Sequence, residues 1–299
     1  MSRILCYGSL NIDNTYTVDH FVAAGETMSS LDCRTYVGGK GLNQSIALAR
    51  AGAEVWHAGA IGEDGTFLLE YMAASGVHTE YVQVLPDVKT GHAIIQRTLA
   101  GENCILLFGG ANQANTKERI AEVLSHFEKG DILLLQNEVN ELRELICQAH
   151  EKGMKVVLNP SPMNEKIPFD VLSYVSCFLV NEVEAAALLG CGEIDEEEGI
   201  SVAQGLLQKY PGTEIVLTLG GKGAVYASED ECFWQPACKV KVVDTTGAGD
   251  TFTGYFLQAR NEGMAAKDAM ELATKAASIA VSREGAAPSI PVRGEVPGE

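Results

Sequence analysis

The sequence predicts an α/β fold: a doubly wound, mostly parallel sheet with helices on both faces, plus a small β-sheet standing off it. Three observations predict this. Apolar strand-like runs alternate with helix-like stretches through most of the 299 residues, as in sheets covered on both faces. Two stretches, 12–37 and 90–108, break the alternation with short β-type runs and no helix. No long linker or internal repeat divides the chain.

Taken in order, strand runs fall at 4–8, 54–60, 131–136, 154–159, 175–180 and 214–219. Helical patterns fall near 42–51, 66–74, 117–127, 141–151, 182–189 and 198–209. His92 to Leu99 and Cys104 to Phe108 read as strands around a turn at Gly101-Glu102-Asn103. With 12–37 they are expected to form a lid, two extra edge strands of the main sheet being the alternative. Residues 239–243 (Lys-Val-Lys-Val-Val) have the pattern of a strand entering a core. Beyond them Phe252, Tyr255, Phe256 and Ala259 recur at helical spacing. The acidic run Glu193 to Glu198 reads as a solvated loop leading into a helix start, where negative charge is favourable. The expectation is one α/β domain over 1–299, with the lid drawn from about 12–37 and 90–108.

Composition excludes several classes. Hydrophobic residues make up 46% of the chain, enough for a large core and too many for disorder. Twenty-two basic and 40 acidic residues give a net charge of −18, which repels nucleic acid and anionic membranes, so neither is an expected partner. The eight cysteines form no Cys-x-x-Cys pair and lie near no histidine at metal-ligand spacing, so no zinc site is expected. The six histidines form no constellation. No signal-like apolar block or membrane-length stretch is present, and the expected location is the reducing cytoplasm.

The chemistry concentrates in Asp244-Thr245-Thr246-Gly247-Ala248-Gly249-Asp250-Thr251-Phe252. A glycine turn opening a helix leaves the first amides unpaired at the positive end of the helix dipole, a ready anion site. Asp250 among those amides has a capping reading. Its sharper reading is a general base that takes a proton from a substrate hydroxyl while the amides hold a phosphoryl group in transfer.

Gly38-Gly39-Lys40-Gly41-Leu42-Asn43 offers a second close-approach turn, and Gly220-Gly221-Lys222-Gly223 repeats its first four letters. Neither is a Walker A loop, and alone each reads as a structural turn. Asn11, Asp13, Gln136, Glu138, Asn159, Asn181 and Thr218 all fall at or just after strands, where ligands collect in such sheets. Asn11, Asp13, Asn43 and Glu138 are of a type that fixes a polyol by paired hydrogen bonds. Asn181-Glu182-Val183-Glu184 reads either as a capped helix start or as Asn181 toward nucleotide phosphates and Glu184 toward hydrated Mg²⁺.

Together these segments resemble the ribokinase-like, or PfkB, family of carbohydrate kinases over nearly the whole chain. The segments Gly8-Ser9-Leu10-Asn11-Ile12-Asp13 and Gly38 to Asn43 are similar to its sugar-binding elements, and Asp244 to Phe252 to its C-terminal signature. Asn181-x-x-Glu184 resembles the family's Mg²⁺ and phosphate motif, and Thr218 to Gly223 its nucleotide-binding strand and turn.

The resemblance implies ATP-dependent phosphorylation of a sugar's primary hydroxyl, with D-ribose, giving D-ribose 5-phosphate, as the expected acceptor. Asp250 would be the base and the amides of Gly247, Ala248 and Gly249 the anion hole. Asn11, Asp13, Gly39, Lys40, Asn43 and Glu138 would contact the sugar; Asn181, Thr218, Gly220 and Gly223 would lie along the nucleotide. Glu184 would hold Mg²⁺ through water. Asp244, Thr246, Ala280, Arg283, Gly285 and Ser289 match a monovalent-cation site, implying K⁺ activation. The tail after Ser289 departs from the family, because two prolines and two glycines interrupt the closing helix.

Three other readings remain. One is a kinase for another free sugar, such as 2-deoxyribose or a fructose-type sugar, or for a nucleoside. A phosphorylated acceptor would need cationic lid residues; Arg34, Lys89 and Arg97 are available, though solvation explains them more simply. From another class comes a non-catalytic sugar- or nucleotide-binding regulator, against which the intact Asp250 argues. A dinucleotide dehydrogenase fails because residues 8–13 lack Gly-x-Gly-x-x-Gly. A lid of exposed strands is expected to shield itself by pairing with a second copy.

Overall fold

The computed structural model describes residues 1–192, 194 and 198–298. Its strands are β1 (Ile4–Tyr7), β2 (Asn11–Val18), β3 (Asp32–Gly38), β4 (Val55–Gly62), β5 (His78–Leu85), β6 (Gly91–Thr98) and β7 (Asn103–Phe108). They continue with β8 (Ile132–Gln136), β9 (Lys155–Asn159), β10 (Cys177–Asn181), β11 (Glu214–Thr218), β12 (Gly223–Ala227) and β13 (Cys232–Pro236). The helices are α1 (Lys40–Arg50), α2 (Thr66–Ala74), α3 (Lys117–Ser125), α4 (Leu142–Glu151), α5 (Glu182–Leu189), α6 (Gly199–Lys209), α7 (Ala248–Asn261) and α8 (Ala266–Ala280).

Nine strands form the main sheet in the order β13-β12-β11-β10-β9-β8-β1-β4-β5. From β11 to β5 every pairing is parallel, and β12 and β13 add an antiparallel edge. The central strands are near-continuous apolar runs (Ile-Leu-Cys-Tyr in β1, Ile-Leu-Leu-Leu before Gln136 in β8) because both of their faces are covered. One face packs α1, α2, α7 and α8 through Ile46, Met72, Phe256 and Met270. The other packs α3, α4 and α6 through Ile120, Leu145 and Leu206.

The two stretches without helices form a separate four-stranded sheet, β3-β2-β6-β7, rather than extra edge strands of the main one. Its outer strand β7 is exposed along its whole length, with Leu106 at 67% and Phe108 at 51%.

Four expectations need correction or completion. Residues 239–243 are not a strand entering the core: Val240, Val242 and Val243 are exposed. The chain has left the sheet at β13, an edge with no neighbour to pair, and only the Val243 and Asp244 amides are anchored, on the Val281 carbonyl. Strands β5, β12 and β13 were not among the sequence runs. The tail does cover its surroundings without a closing helix: Ile290 and Val296 are buried. Arg50 donates to the Ala287 and Ile290 carbonyls, and the Tyr255 hydroxyl donates to that of Pro291. Of the acidic run, Glu193 and Asp195 to Glu197 lie outside the described residues.

Candidate active site

The parallel strands deliver their carboxyl ends in a row. Thr218 ends β11, Asn181 ends β10, Asn159 ends β9 and Gln136 ends β8, while β1 runs on through Gly8 and Ser9 to Asn11. Register pairs Asn181 with Thr218 and Gln136 with Asn159. The predicted nucleotide residues therefore occupy one half of the row and the predicted sugar residues the other.

Two helices start above this row and aim their positive ends into it. α1 begins at Gly39, whose φ of 95° is left-handed backbone. α7 begins at Gly247, φ 75°, with no side-chain cap. The Thr251 amide is the first to bond back, to the Gly247 carbonyl at 2.8 Å, so the Gly249 and Asp250 amides precede the ladder. The Ala248 amide, expected in the anion hole, turns back to the Thr245 carbonyl at 3.3 Å. Space beside Gly249 is open within 4 Å of where a Cβ would stand. The helices touch closely: a Cβ on Gly254 would collide with Ala47 and the Leu48 amide.

That contact lays α1 against Asp250, which is buried. Asn43 Nδ2 donates to Asp250 Oδ2 at 3.1 Å and Gln44 Nε2 to Oδ1 at 2.8 Å. Asn43 Oδ1 is buried with no partner, an acceptor ready for a ligand hydroxyl. Burial would pull the Lys40 ammonium down, but Asp250, Glu138 and Glu184 outweigh it and hold it up. This lysine is the cation shared by three acidic groups of the site.

The residues read as sugar-type lie near one another. Glu138 accepts from the Ser9 hydroxyl and, at 2.9 Å, from the Lys40 amide. Burial raises its carboxyl despite Lys40, Ser9 and that amide. Burial, with Glu138 nearby, pushes the Asp13 carboxyl up to about 6. Asn11 is oriented by Asn112, which sequence reasoning missed. Asn112 Oδ1 accepts from the Leu10 amide at 3.0 Å, so its Nδ2 donates to Asn11 Oδ1 at 2.8 Å, leaving Asn11 Nδ2 as the end to offer a ligand. No local pattern marked Asn112; it follows β7 in a short 3₁₀ turn, Gly110–Gln113.

On the nucleotide side Asn181 and Glu184 form a capping box for α5, so the structural reading of that motif holds. Glu184 Oε2 accepts from the Asn181 amide at 3.0 Å and from Asn159 Nδ2 at 3.5 Å. Oε1 accepts from Asn181 Nδ2 at 3.2 Å. Burial raises this carboxyl above its usual range. Among the described residues no cluster of three or more His, Cys, Asp or Glu could hold a metal. A single carboxylate so engaged fits a Mg²⁺ that keeps its waters. Thr218 Oγ1 donates to the Val180 carbonyl, and Gly220 and Gly223 flank a 3₁₀ turn.

Behind the α7 turn, Asp244 Oδ1 accepts from the Thr246 amide and hydroxyl at 3.0 and 2.6 Å, and Oδ2 from the Gly285 amide at 3.2 Å. Burial pushes this carboxyl up, but those bonds and the Arg97 charge outweigh it and hold it low. Arg97 of β6 approaches Asp244 to 4.0 Å, so it is more than a solvated lid cation. The Ala280 carbonyl accepts from the Arg283 amide, and Ser289 Oγ donates to the Ala286 carbonyl. The Asp244 carboxylate and the Thr246 hydroxyl are oxygen donors of the kind a hard cation takes.

A buried carboxylate beside free helix amides, facing a polyol-type polar set, defines a phosphotransferase with an alcohol group as acceptor. The comparisons agree. The chain matches the pfkB family carbohydrate kinase profile over residues 1–293, and it belongs to that family. It is 35% identical over 301 residues to the ribokinase of Bacillus subtilis, covering 99% of this chain and 98% of that one. It is 33% identical over 303 residues to that of Staphylococcus aureus, covering 99% and 98%. The ribokinase of Arabidopsis thaliana, solved with ribose and ATP, superposes with a TM-score of 0.88 at 30% identity, covering 99% of this chain and 97% of that one.

The raised Asp13 gives a pH signature. A hydroxyl donates to a carboxylate, so in the sugar-contacting role that the resemblance gives Asp13, its protonation would oppose sugar binding. Sugar affinity measured by calorimetry is predicted to be constant above pH 7 and to weaken as pH falls through about 6. Asp13→Asn should lose both affinity and this dependence. A dissociation constant flat from pH 7.5 to 5 contradicts it.

Proposed function

We propose that the enzyme transfers the γ-phosphoryl group of ATP to the primary hydroxyl of D-ribose, giving D-ribose 5-phosphate. One observation carries the reading: Asp250, gripped by two amides of α1, stands at the start of α7 beside unpaired helix amides. Ribokinases at 33% and 35% identity over nearly the full chain support ribose as the acceptor, and the ribose and ATP bound to the Arabidopsis relative support both substrates.

In this reading Asn11, Asp13, Asn43 and Glu138 orient the sugar so that its primary hydroxyl meets Asp250. Gly39 and Lys40 line the same side, with Lys40 balancing the acidic groups. Asp250 takes the hydroxyl proton, and the oxygen attacks phosphorus as the bond to the ADP oxygen breaks. The amides of Gly249 and Asp250, with that of Gly247 around the turn, stabilise the developing charge. Asn181, Thr218, Gly220 and Gly223 hold the nucleotide. Glu184 would hold a Mg²⁺ through water, which would supply charge neutralisation at the phosphates. Asp244, Thr246, Ala280, Arg283, Gly285 and Ser289 would hold a K⁺, which would steady the α7 turn.

The small sheet acts as a lid over the single α/β domain and as a dimer surface. Leu106 and Phe108 are exposed on an unpaired edge strand, the kind of strand that a second copy covers. Eight free thiols fit a reducing compartment, the cytoplasm. Among the described residues no helix is long and apolar enough to cross a membrane.

The function is tested by ADP release over D-ribose, 2-deoxyribose, fructose, tagatose phosphate and nucleosides, in potassium and in sodium buffer. D-ribose in potassium should turn over fastest, and Asp250→Asn should abolish turnover while nucleotide still binds. Equal rates in the two buffers remove the K⁺ role, and no turnover on any acceptor favours a regulator. Light scattering should give twice the chain mass, and Leu106→Glu should halve it; a monomeric wild type sinks the dimer.

A further inference from the structure

Gln44, one of the two side chains that donate to Asp250, lies in a buried chain of side-chain amides whose direction is fixed. The Leu179 carbonyl can only accept, so Asn159 must present Nδ2 to it, at 2.8 Å. Asn159 Oδ1 is thereby turned toward Gln44, which must present its own Nε2, at 3.1 Å. The same Nε2 donates to Asp250 Oδ1 at 2.8 Å. These two acceptors bar the Gln44 amide from flipping, and its Oε1 accepts from Gln136 Nε2 at 2.6 Å. Gln44 and Gln136 are both fully buried, so water supplies no alternative partner. Asn159 also reaches Glu184 Oε2, at 3.5 Å.

We infer that Gln44 is a positioning residue for the catalytic base. Its amide, locked by Gln136 and Asn159, holds the Asp250 carboxylate in one rotation and ties it to the carboxylate at the head of α5. Both hydrogens of the Gln44 amide are spent on acceptors, and its oxygen is spent on Gln136. Asp250 therefore meets an incoming hydroxyl with its orientation already set, the preorganisation that a base at hydrogen-bond range requires. The inference rests on Asp250 acting as the base.

Single-turnover phosphoryl transfer, followed against pH, tests it. Gln44→Glu keeps the size but turns a donor into an acceptor facing Asp250 Oδ1 and Asn159 Oδ1. Two carboxylates at one site then retain a proton between them, so the acidic limb of the rate profile should move up by about one pH unit or more. The shift reports that the residue 44 side chain reaches Asp250, and the Gln44→Met variant reports whether that contact positions the base. Gln44→Met, which keeps length and burial, should cut the transfer rate about tenfold or more while sugar KM stays within about threefold. It carries the test if Gln44→Glu does not fold. An unmoved limb in Gln44→Glu, or a rate within about threefold of wild type in Gln44→Met, overturns the inference. Asp250→Asn in the same panel separates the two levels. If it retains turnover, the base assignment fails; if it is inactive while both Gln44 variants are normal, only the positioning role fails.

Discussion

The close passage of α7 over α1, where Gly254 lies on Ala47 and Leu48 with no room for a side chain, is the contact on which the rest of the site depends. It brings the first turn of each helix to the same point above the sheet. There two consecutive residues of α1, Asn43 and Gln44, each donate an amide hydrogen to one oxygen of Asp250. Neither helix makes a base alone. α7 supplies a carboxylate among free amides, and α1 supplies the groups that fix its direction.

The sheet extends this arrangement sideways. Because the strands are parallel and in register, each from β11 to β8 adds one polar residue at its carboxyl end, giving a row from Thr218 through Asn181 and Asn159 to Gln136. Burial shapes the electrostatics along it. Asp13, Glu138 and Glu184 are all raised by desolvation, and Lys40 is held charged by its acidic neighbours. Arg97 brings a positive group from the small sheet to Asp244, linking that sheet to the turn behind the anion site.

Much of this was legible in the sequence. The six central strands and their helices stood out as apolar runs, and the glycine turn at Asp244 to Asp250 was readable because helix starts and anion sites share one local geometry. The sugar-type residues were readable because strand ends gather ligands. Strand β5 (His-Thr-Glu-Tyr-Val-Gln-Val-Leu) carries alternation that was present but weak, and β12 and β13 form a short hairpin whose signal lay in the Ser228 to Glu231 turn. The valines at 240, 242 and 243 misled, since alternation marks a strand only where a partner strand is within reach. Gln44, Asn112 and Ser9 were invisible as functional groups. Their roles arise from contacts across 206, 101 and 129 residues of sequence, which no local pattern encodes.

The most direct test of the central claim is the distance from Asp250 to the acceptor hydroxyl in a crystal structure with D-ribose and a non-hydrolysable ATP analogue. The account predicts an Asp250 oxygen at about 2.6–3.2 Å from the primary hydroxyl, the reach of a general base, with Asn43 and Gln44 still donating to the carboxylate. A primary hydroxyl turned away from Asp250 and bonded to another group would contradict it.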